Sequence, residues 1–179
     1  MPGHPRLSAK AVDSSDRSKT AEMLKQIAAI RDDSADDLTH RFGPGHWSGH
    51  SKLDRLKREL KKPRQLYLVK SGDEPVATFA IAESGPKFLR PAWFAEPEAP
   101  VMYLTALAVA PAWQGRGVGR WCMKFIRKAV ADHGLKWIRF DAYNAPAGAA
   151  DFYVKCGCVE RRKFGFNGVG LIAFEMKCR

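Results

Sequence analysis

The sequence predicts an α/β fold in a single domain spanning residues 1–179, and three observations support that prediction. The chain length of 179 residues is that of one ordinary domain. Residues 101–109 form a nearly continuous apolar run of strand length, which predicts a buried strand. A glycine-rich turn follows and opens the segment 117–133, whose apolar side chains fall on one helical face. Predicted strands and helices alternate after residue 100, so we expect part of the sheet to be parallel.

The N-terminal third predicts a strand followed by two helices. Residues 6–12 alternate apolar and polar side chains, and the Asp and Ser residues at 13–16 offer N-caps for an apolar-striped helix. From Asp32 to Ser51 the helical pattern breaks down, so we expect a loop there. Residues 52–62 are strongly basic with leucines at helical spacing. This segment predicts an amphipathic helix with a solvated basic face, in preference to a nucleic-acid-binding stripe.

The remaining elements follow from turn and breaker residues. The runs 65–70 and 75–81 flank a short polar turn with a glycine and predict a hairpin. Residues 83–100 mix prolines with aromatic side chains and predict a loop. Beyond the 117–133 helix we predict a strand at 136–141, a short helix at 146–155 and a last strand at 169–177.

Composition and charge narrow the classes of function. The chain carries 30 Lys and Arg against 19 Asp and Glu, a formal charge of +11. This excess favours nucleic acid, an anionic membrane surface or a phosphate-rich ligand. No apolar stretch approaches the roughly 18 residues that span a bilayer, and the first six residues lack the apolar core of a secretory signal. We therefore expect a cytoplasmic protein without membrane attachment, with its four cysteines as reduced thiols.

The most informative segment is Gln114–Gly119, which reads Gln-x-x-Gly-x-Gly between the predicted strand and the long helix. Backbone N–H groups at a helix start carry partial positive charge, and glycines let a phosphate approach them closely. A Walker A loop would continue with Lys and then Ser or Thr, but Arg120 and Trp121 follow here. A dinucleotide fingerprint starting at Gly115 would need Gly or Ala at 120. The turn therefore predicts a diphosphate-containing ligand that is bound by neither a Walker A loop nor a dinucleotide fingerprint.

This motif resembles that of the GNAT superfamily of acyl-CoA-dependent N-acyltransferases. Leu107-Ala-Val-x-Pro before the turn, Asp141, Asn144 and Phe152-Tyr153-Val-Lys-Cys-Gly157 resemble the family's further motifs in the same order. The resemblance covers about residues 66–177. It implies a mixed, mostly antiparallel sheet flanked by helices and splayed at the strand before the turn. Residues 66–177 would form the acyl-CoA-binding core, and about 6–62 would form part of the acceptor site.

The resemblance also implies acetyl-CoA as the acyl donor and specific residues to hold it. The backbone around 107–109 would bind the pantetheine, and the N–H groups of 114–120 would bind the pyrophosphate. Tyr153 would protonate the departing thiolate, although packing on the core beside Phe152 is an alternative. Arg116, Arg120 and Lys124 are candidates for further phosphate contacts. The implied CoA-contacting residues are Leu107, Ala108, Val109, Gln114, Gly115, Arg116, Gly117, Val118, Gly119, Arg120, Asn144 and Tyr153.

Several roles stay open from the sequence. Asn144 would touch CoA, cap a helix before Pro146, or both. Some family members place Glu eleven residues before the motif Gln, where this chain has Tyr103. The general base is therefore unassigned, with Glu96, Glu98 and Asp141 as candidates, unless the amine binds already neutral.

The loop around 46–50 and the cysteines offer less specific signals. His46 and Trp47 are candidates for acceptor contact, with ordinary loop packing as the alternative. No metal is expected, because His46 and His50 lack a third ligand at suitable spacing. Transfer through an acyl-cysteine is disfavoured, because no Cys is paired with a His at readable spacing.

The sequence thus predicts an N-acetyltransferase that moves the acetyl group of acetyl-CoA to a primary amine by direct attack in a ternary complex. Backbone N–H near Val109 would stabilise the oxyanion. One alternative is an acyl-CoA-binding sensor without turnover. A nucleic-acid-binding protein ranks last, because only charge suggests it. The sequence identifies no particular amine, and it is compatible with a homodimer.

Overall fold

The fold is that of a computed structural model, which describes residues 6–60 and 63–179. Within these residues the chain forms seven strands and four α-helices. The strands are β1 (Leu7–Ala11), β2 (Arg64–Ser71), β3 (Glu74–Ala82), β4 (Val101–Val109), β5 (Trp137–Tyr143), β6 (Val159–Phe166) and β7 (Val169–Lys177). The helices are α1 (Arg17–Phe42), α2 (Leu53–Glu59), α3 (Val118–Asp132) and α4 (Ala150–Lys155).

The strands form one mixed sheet in the order β1-β2-β3-β4-β5-β7-β6. β4 and β5 are parallel, whereas β1–β2, β5–β7 and β6–β7 are antiparallel. The predicted α/β class with a mixed, mostly antiparallel sheet is confirmed. The parallel ladder runs only from Val101 opposite Trp137 to Tyr103 opposite Arg139, although β4 continues to Val109 and β5 to Tyr143.

Backbone contacts divide the chain into two compact units. The first comprises the chain up to Ala80 together with Ala106–Trp121, and the second comprises Ile81–Thr105 with Cys122–Arg179. The prediction of a single domain stays a prediction.

In the first unit, α1, α2 and β2 enclose an apolar core. Leu24 and Ile27 of α1, Leu56 of α2, and Leu66 and Leu68 of β2 are all buried there. Asp16 caps α1 by accepting a hydrogen bond from the Lys19 N–H at 3.1 Å. This packing explains why a short helix such as α2 is stable, since few isolated helices of its length form in water.

In the second unit, side chains cover both faces of the β5–β7 pair. Phe140 and Phe174 stack with ring centroids 5.5 Å apart and contact Tyr153 of α4. On the opposite face, Ala173 packs with Leu89 and Phe94 of the segment between β3 and β4. The proline-rich segment predicted as a loop therefore lies on the sheet, with Leu89 and Phe94 buried and Phe88 and Trp93 partly buried.

Helix α1 corrects the sequence prediction at Asp32–Ser51. The helix continues to Phe42 and ends at Gly43, whose φ of +80° is a left-handed conformation that glycine adopts without strain. The Asp and Ser residues that predicted a loop lie on a helix because no Pro or Gly interrupts it before residue 43. Ala35 is buried on the inner face of this extension.

Three smaller differences have local causes. The predicted helix at 146–155 begins only at Ala150, because residues 145–148 form a turn closed by the Gly148 N–H and the Ala145 carbonyl. Strand β6 was not predicted, because its sequence is dominated by exposed polar and charged residues. The basic helix ends at Glu59, and the predicted Lys61 and Lys62 of its end lie outside the described residues.

Candidate functional site

The Gln114–Arg120 turn lies in the first unit, where it joins the end of β4 to the start of α3. Gly115 and Gly117 have φ of +72° and +83°, and a Cβ atom at either would meet nothing within 4 Å. The Gln114 N–H donates to the Pro111 carbonyl and the Trp121 N–H to the Gly117 carbonyl. The N–H groups at the start of α3 have no intrahelical acceptor. The turn is therefore an open, glycine-lined surface with free backbone donors, as a phosphate requires.

Side-chain contacts within the first unit fix this turn. Trp113 donates its indole N–H to Glu74 Oε1 at 2.8 Å, and the Arg116 guanidinium lies over the Trp113 ring at 5.3 Å. Gln114 Nε2 donates to the Val109 carbonyl at 3.2 Å, so the motif glutamine ties the turn to the strand before it. Val118 is buried and anchors the helix start, whereas Arg116 and Arg120 are exposed. The basic side chains are thus positioned to meet an anion from solvent.

The second half of β4 is unusual for a strand placed fourth in a seven-stranded order. Leu107, Ala108 and Val109 are only half-buried. Ala106 has a φ of +53°, which is uncommon for a residue with a Cβ and interrupts the regular strand. The Ala110 N–H donates to the Val76 carbonyl, which holds the end of β4 in the first unit. The sequence carries no signal for the Ala106 conformation.

Asn144 and Tyr153 both lie in the second unit. Asn144 is exposed directly after β5, where its N–H donates to the Gly170 carbonyl at 2.9 Å. Because α4 begins at Ala150, Asn144 does not cap it, and the capping alternative is wrong. Tyr153 is 8% exposed, and its ring contacts those of Phe140, Phe152 and Phe174.

The core-packing interpretation of the Tyr153 ring is therefore confirmed. Among the described residues, none hydrogen-bonds this hydroxyl. Burial raises the pKa of Tyr153, and the nearby Cys158, Asp141 and Cys156 raise it further. The phenol therefore remains protonated at neutral pH, as a proton donor must.

The three carboxylate candidates, all in the second unit, differ in their surroundings. Glu96 forms an ion pair with Lys136, which lowers the Glu96 pKa. Glu98 is exposed. Asp141 is half-buried on β5, and burial raises its pKa. A carboxyl group with a raised pKa in a partly buried site is the better general-base candidate.

Strand alternation places Asp141 relative to its neighbours. Side chains at 139, 141 and 143 share one face of β5, whereas Phe140, which contacts Tyr153, points to the other. Tyr103 is paired with Arg139 in the parallel ladder and packs in the cluster around Ala173, on the Asp141 face. Asp141 and Tyr153 thus lie on opposite faces of one strand.

His46 and Trp47 lie in the first unit in a short 3₁₀ helix, His46–Ser48. Trp47 donates its indole N–H to the Gly43 carbonyl at 3.1 Å, and its ring lies so close to Gly45 that a Cβ atom there would be 2.5 Å away. Local packing therefore accounts for Trp47. His46 is exposed beside it.

The segment after α1 is hydrogen-bonded back along that helix. Thr39 and Ser48 hydroxyls lie 2.6 Å apart, His50 Nε2 is 2.7 Å from Asp36 Oδ1, and the Ser51 N–H donates to Asp32 Oδ1 at 2.5 Å. The polar side chains of α1 that suggested a loop thus hydrogen-bond to residues 48–51, which follow the helix.

Other site chemistries find no support in the part of the chain that the structure describes. In residues 6–60 and 63–179, no three His, Cys, Asp or Glu side chains are grouped as a metal ion would require. Cys122 is fully buried, and burial raises its pKa to about 12, so little thiolate would form there. None of the helices within the described residues is long and apolar enough to cross a membrane.

Comparison with models of known protein families identifies the family of this chain. The model of the acetyltransferase (GNAT) family matches residues 28–158. The chain belongs to the GNAT family of acetyltransferases. This match confirms the resemblance and the enzyme class predicted from the sequence. A search of curated proteins finds no match.

Solved structures share the fold at low sequence identity. The Vibrio cholerae spermidine N-acetyltransferase, in complex with CoA and spermine, is 14% identical with a TM-score of 0.63, covering 96% of this chain and 95% of that one. The Escherichia coli ribosomal-protein-S18-alanine N-acetyltransferase is 12% identical with a TM-score of 0.65, covering 96% and 94%. An aminoglycoside 6'-acetyltransferase type Ii is 13% identical with a TM-score of 0.67, covering 96% and 97%. At such low sequence identities, the structural similarity establishes a shared fold alone.

Proposed function

We propose that this GNAT acetyltransferase transfers the acetyl group of acetyl-CoA to a primary amine by direct attack in a ternary complex. The observation that carries the proposal is the Gln114–Arg120 turn, with two left-handed glycines, open space above them and free N–H groups at the start of α3. A diphosphate fits these donors because its oxygens accept hydrogen bonds and its charge suits the helix N-terminus.

In this proposal the basic and strand residues bind the rest of the donor. Arg116, Arg120 and Lys124 are exposed and supply positive charge for the phosphates. The half-buried backbone of Leu107, Ala108 and Val109 offers hydrogen bonds to the amides of pantetheine, in the manner of strand addition. An N–H group near Val109 stabilises the oxyanion that forms when the amine attacks the thioester carbonyl. Asn144 contributes a further polar contact to CoA.

Tyr153 is proposed as the general acid. When the tetrahedral intermediate collapses, the carbon–sulfur bond breaks and the sulfur leaves as a thiolate that accepts a proton. A buried phenol with a raised pKa is fully protonated and has no hydrogen-bond partner among the described residues. Donation from Tyr153 yields the CoA thiol.

Asp141 is proposed as the general base in the place of the glutamate that Tyr103 replaces. Glu96 is engaged by Lys136 and Glu98 is exposed, whereas Asp141 is half-buried with a raised pKa. A base of higher pKa removes a proton from an ammonium group more readily. Asp141 also shares its face of the second unit with Tyr103.

The acceptor is proposed to be a primary amine of low positive charge. The structural neighbours are named for acting on spermidine, a ribosomal-protein alanine and aminoglycosides. This chain carries a formal charge of +11, which repels polycationic acceptors at long range. His46 and Trp47 are proposed to contact the acceptor, and a cytoplasmic location is proposed.

The test is release of CoA thiol from acetyl-CoA across a panel of amines with purified protein. The panel should contain amino acids, peptide N-termini, lysine peptides, polyamines and aminoglycosides. Thiol release with one class of amine supports the proposal and identifies the acceptor. Acetyl-CoA binding without release for any amine would instead support a sensor. Salt-dependent nucleic-acid binding that acetyl-CoA does not affect would support the charge-based alternative.

A further inference from the structure

A group of three arginines surrounds one buried carboxylate in the first unit. Glu59, at the end of α2, is 7% exposed. Its Oε2 lies 3.5 Å from Arg31 Nη1 of α1 and 3.2 Å from Arg64 Nη1 of β2, and its Oε1 lies 3.6 Å from Arg55 Nε of α2. We call Arg31, Arg55, Glu59 and Arg64 the arginine cluster. Three guanidinium groups face one carboxylate, so the cluster carries two uncompensated positive charges.

Two of these arginines keep donors that no described residue accepts. Arg31 Nε and Nη2 and Arg64 Nε are buried without any hydrogen-bond acceptor in the described part of the chain. The Arg31 side chain is only 11% exposed. A buried donor without an acceptor is costly, so native proteins seldom leave one unpaired. These three N–H groups therefore indicate an acceptor that the described residues 6–60 and 63–179 do not supply.

Two of the unpaired donors belong to the same guanidinium group, that of Arg31. The Nε and Nη2 atoms of Arg31 form one edge of its planar guanidinium group, and the contact with Glu59 is made by Nη1 instead. That edge binds two oxygens of a carboxylate or phosphate side by side. Two other acids of these helices have partners of their own, since Asp32 accepts from the Ser51 N–H and Asp54 pairs with Lys57.

We infer that the arginine cluster is a binding site for a small oxyanion, the carboxylate or phosphate group of a ligand, which offsets positive charge that Glu59 leaves uncompensated. The Arg55 side chain is 72% exposed, so the cluster extends to the protein surface. Burial lowers the pKa of Arg31, and the nearby Arg64 and Arg55 lower it further, whereas Glu59 raises it. A second anion beside the cluster would relieve this repulsion.

The test follows the arginine Nε–H signals of the full chain by NMR during titration with inorganic phosphate and, separately, with acetate. The titrations use an Arg120→Glu background, so that phosphate binding at the Gln114–Arg120 turn does not contribute. We expect the Arg31 and Arg64 signals to shift together and saturate. Saturation with phosphate alone identifies a phosphate ligand, saturation with acetate alone a carboxylate, and both support the site. No shift with either anion overturns the inference.

Two variants and one control separate a binding site from a structural ion pair. Arg31→Lys keeps the charge and removes the two-donor edge, so anion affinity should fall about tenfold. The control is Arg58→Lys, an exposed arginine on α2, which should leave the affinity within twofold. Equal affinity in both variants contradicts the inference.

Glu59→Gln gives an independent reading if Arg31→Lys is poorly folded. This change removes the internal counter-charge, so phosphate or acetate should bind more tightly, by about tenfold. Unchanged or weaker binding in Glu59→Gln contradicts the inference. Because the background already carries Arg120→Glu, failure here leaves the acetyl-transfer proposal untouched.

Discussion

Arg139 and Glu175 form an ion pair inside the second unit, with Arg139 Nε 3.4 Å from Glu175 Oε1 and both side chains at most 2% exposed. Glu175 Oε2 also accepts from Arg161 Nε at 2.9 Å and from the Ala95 N–H at 3.1 Å. Arg139 Nη2 donates to the Glu96 carbonyl at 2.5 Å and its guanidinium lies over the Phe94 ring. One buried pair therefore attaches residues 94–96 to β5, β6 and β7.

Replacing Glu175 with Gln should destabilise the protein by about 3–5 kcal/mol, because a buried arginine would lose its counter-charge. Urea unfolding of the variant measures this change. The matched control is Glu160→Gln, which removes an exposed carboxylate 3.7 Å from Lys163 and should change stability by less than about 0.5 kcal/mol. Similar midpoints for both variants would show that the buried pair contributes no more than a surface one.

Tyr153→Phe should separate packing from catalysis. The ring contacts with Phe140, Phe152 and Phe174 are kept, so stability should stay within about 1 kcal/mol of the parent. Loss of the hydroxyl should lower kcat by about 100-fold or more, while the Kd of acetyl-CoA stays within about twofold. Steady-state thiol release and calorimetry measure the two quantities. An unchanged kcat would remove Tyr153 from the mechanism.

Asp141→Asn should abolish the acidic limb of the pH–rate profile. Burial raises the pKa of Asp141 above its ordinary value, so activity should rise as pH increases through that raised pKa and the carboxylate forms. The variant should lose about 100-fold in kcat/KM and show no such limb. Asp151→Asn, at an exposed position on α4, is the control. A variant profile that matches the parent would exclude Asp141 as the base.

The hydrogen bond between Asp36 and His50 should be detectable as a raised pKa of His50. The Asp36 hydrogen bond raises the pKa of His50 above 6.5, with the Asp36 and Asp32 charges adding to the effect. The pair's contribution to folding is therefore fully present below the unfolded His pKa and is lost as pH rises through the folded pKa. NMR titration should show this shift in the parent and in Asp33→Asn, and its loss in Asp36→Asn. The same His50 pKa in all three proteins would contradict the pairing.

The sequence predicts an element of the fold correctly where its local apolar pattern matches the face that the structure buries. The apolar strand Val101–Val109, the glycine turn and the helix Val118–Asp132 were predicted because local pattern and buried face coincide there. The outer half of α1 was missed because its polar side chains bond to the returning chain, which no local pattern reveals. Strand β6 was missed because it lies at the sheet edge with mostly exposed side chains.

In the candidate site, too, features set by local sequence were predicted, whereas features set by tertiary contacts were not. Residues 114–120 are contiguous, so their motif was readable directly. Tyr103 packs on Gly85 so closely that a Cβ atom there would lie 2.2 Å from its ring, a contact that sequence spacing does not reveal. The arginine cluster draws residues from two helices and a strand, and only the tertiary fold brings them together.

The central claim is that the glycine turn binds the diphosphate of acetyl-CoA, and calorimetric titration of two alanine variants tests it most directly. Gly117 and Gly168 have φ of +83° and +77°, and a Cβ atom at either meets nothing within 4 Å. Alanine should therefore introduce similar backbone strain, about 1–2 kcal/mol, at both positions. Gly117→Ala should lower acetyl-CoA affinity at least tenfold, because its Cβ would block the phosphate, while Gly168→Ala should bind as the parent does. Equal affinity in both variants, or no binding by the parent, would contradict the account.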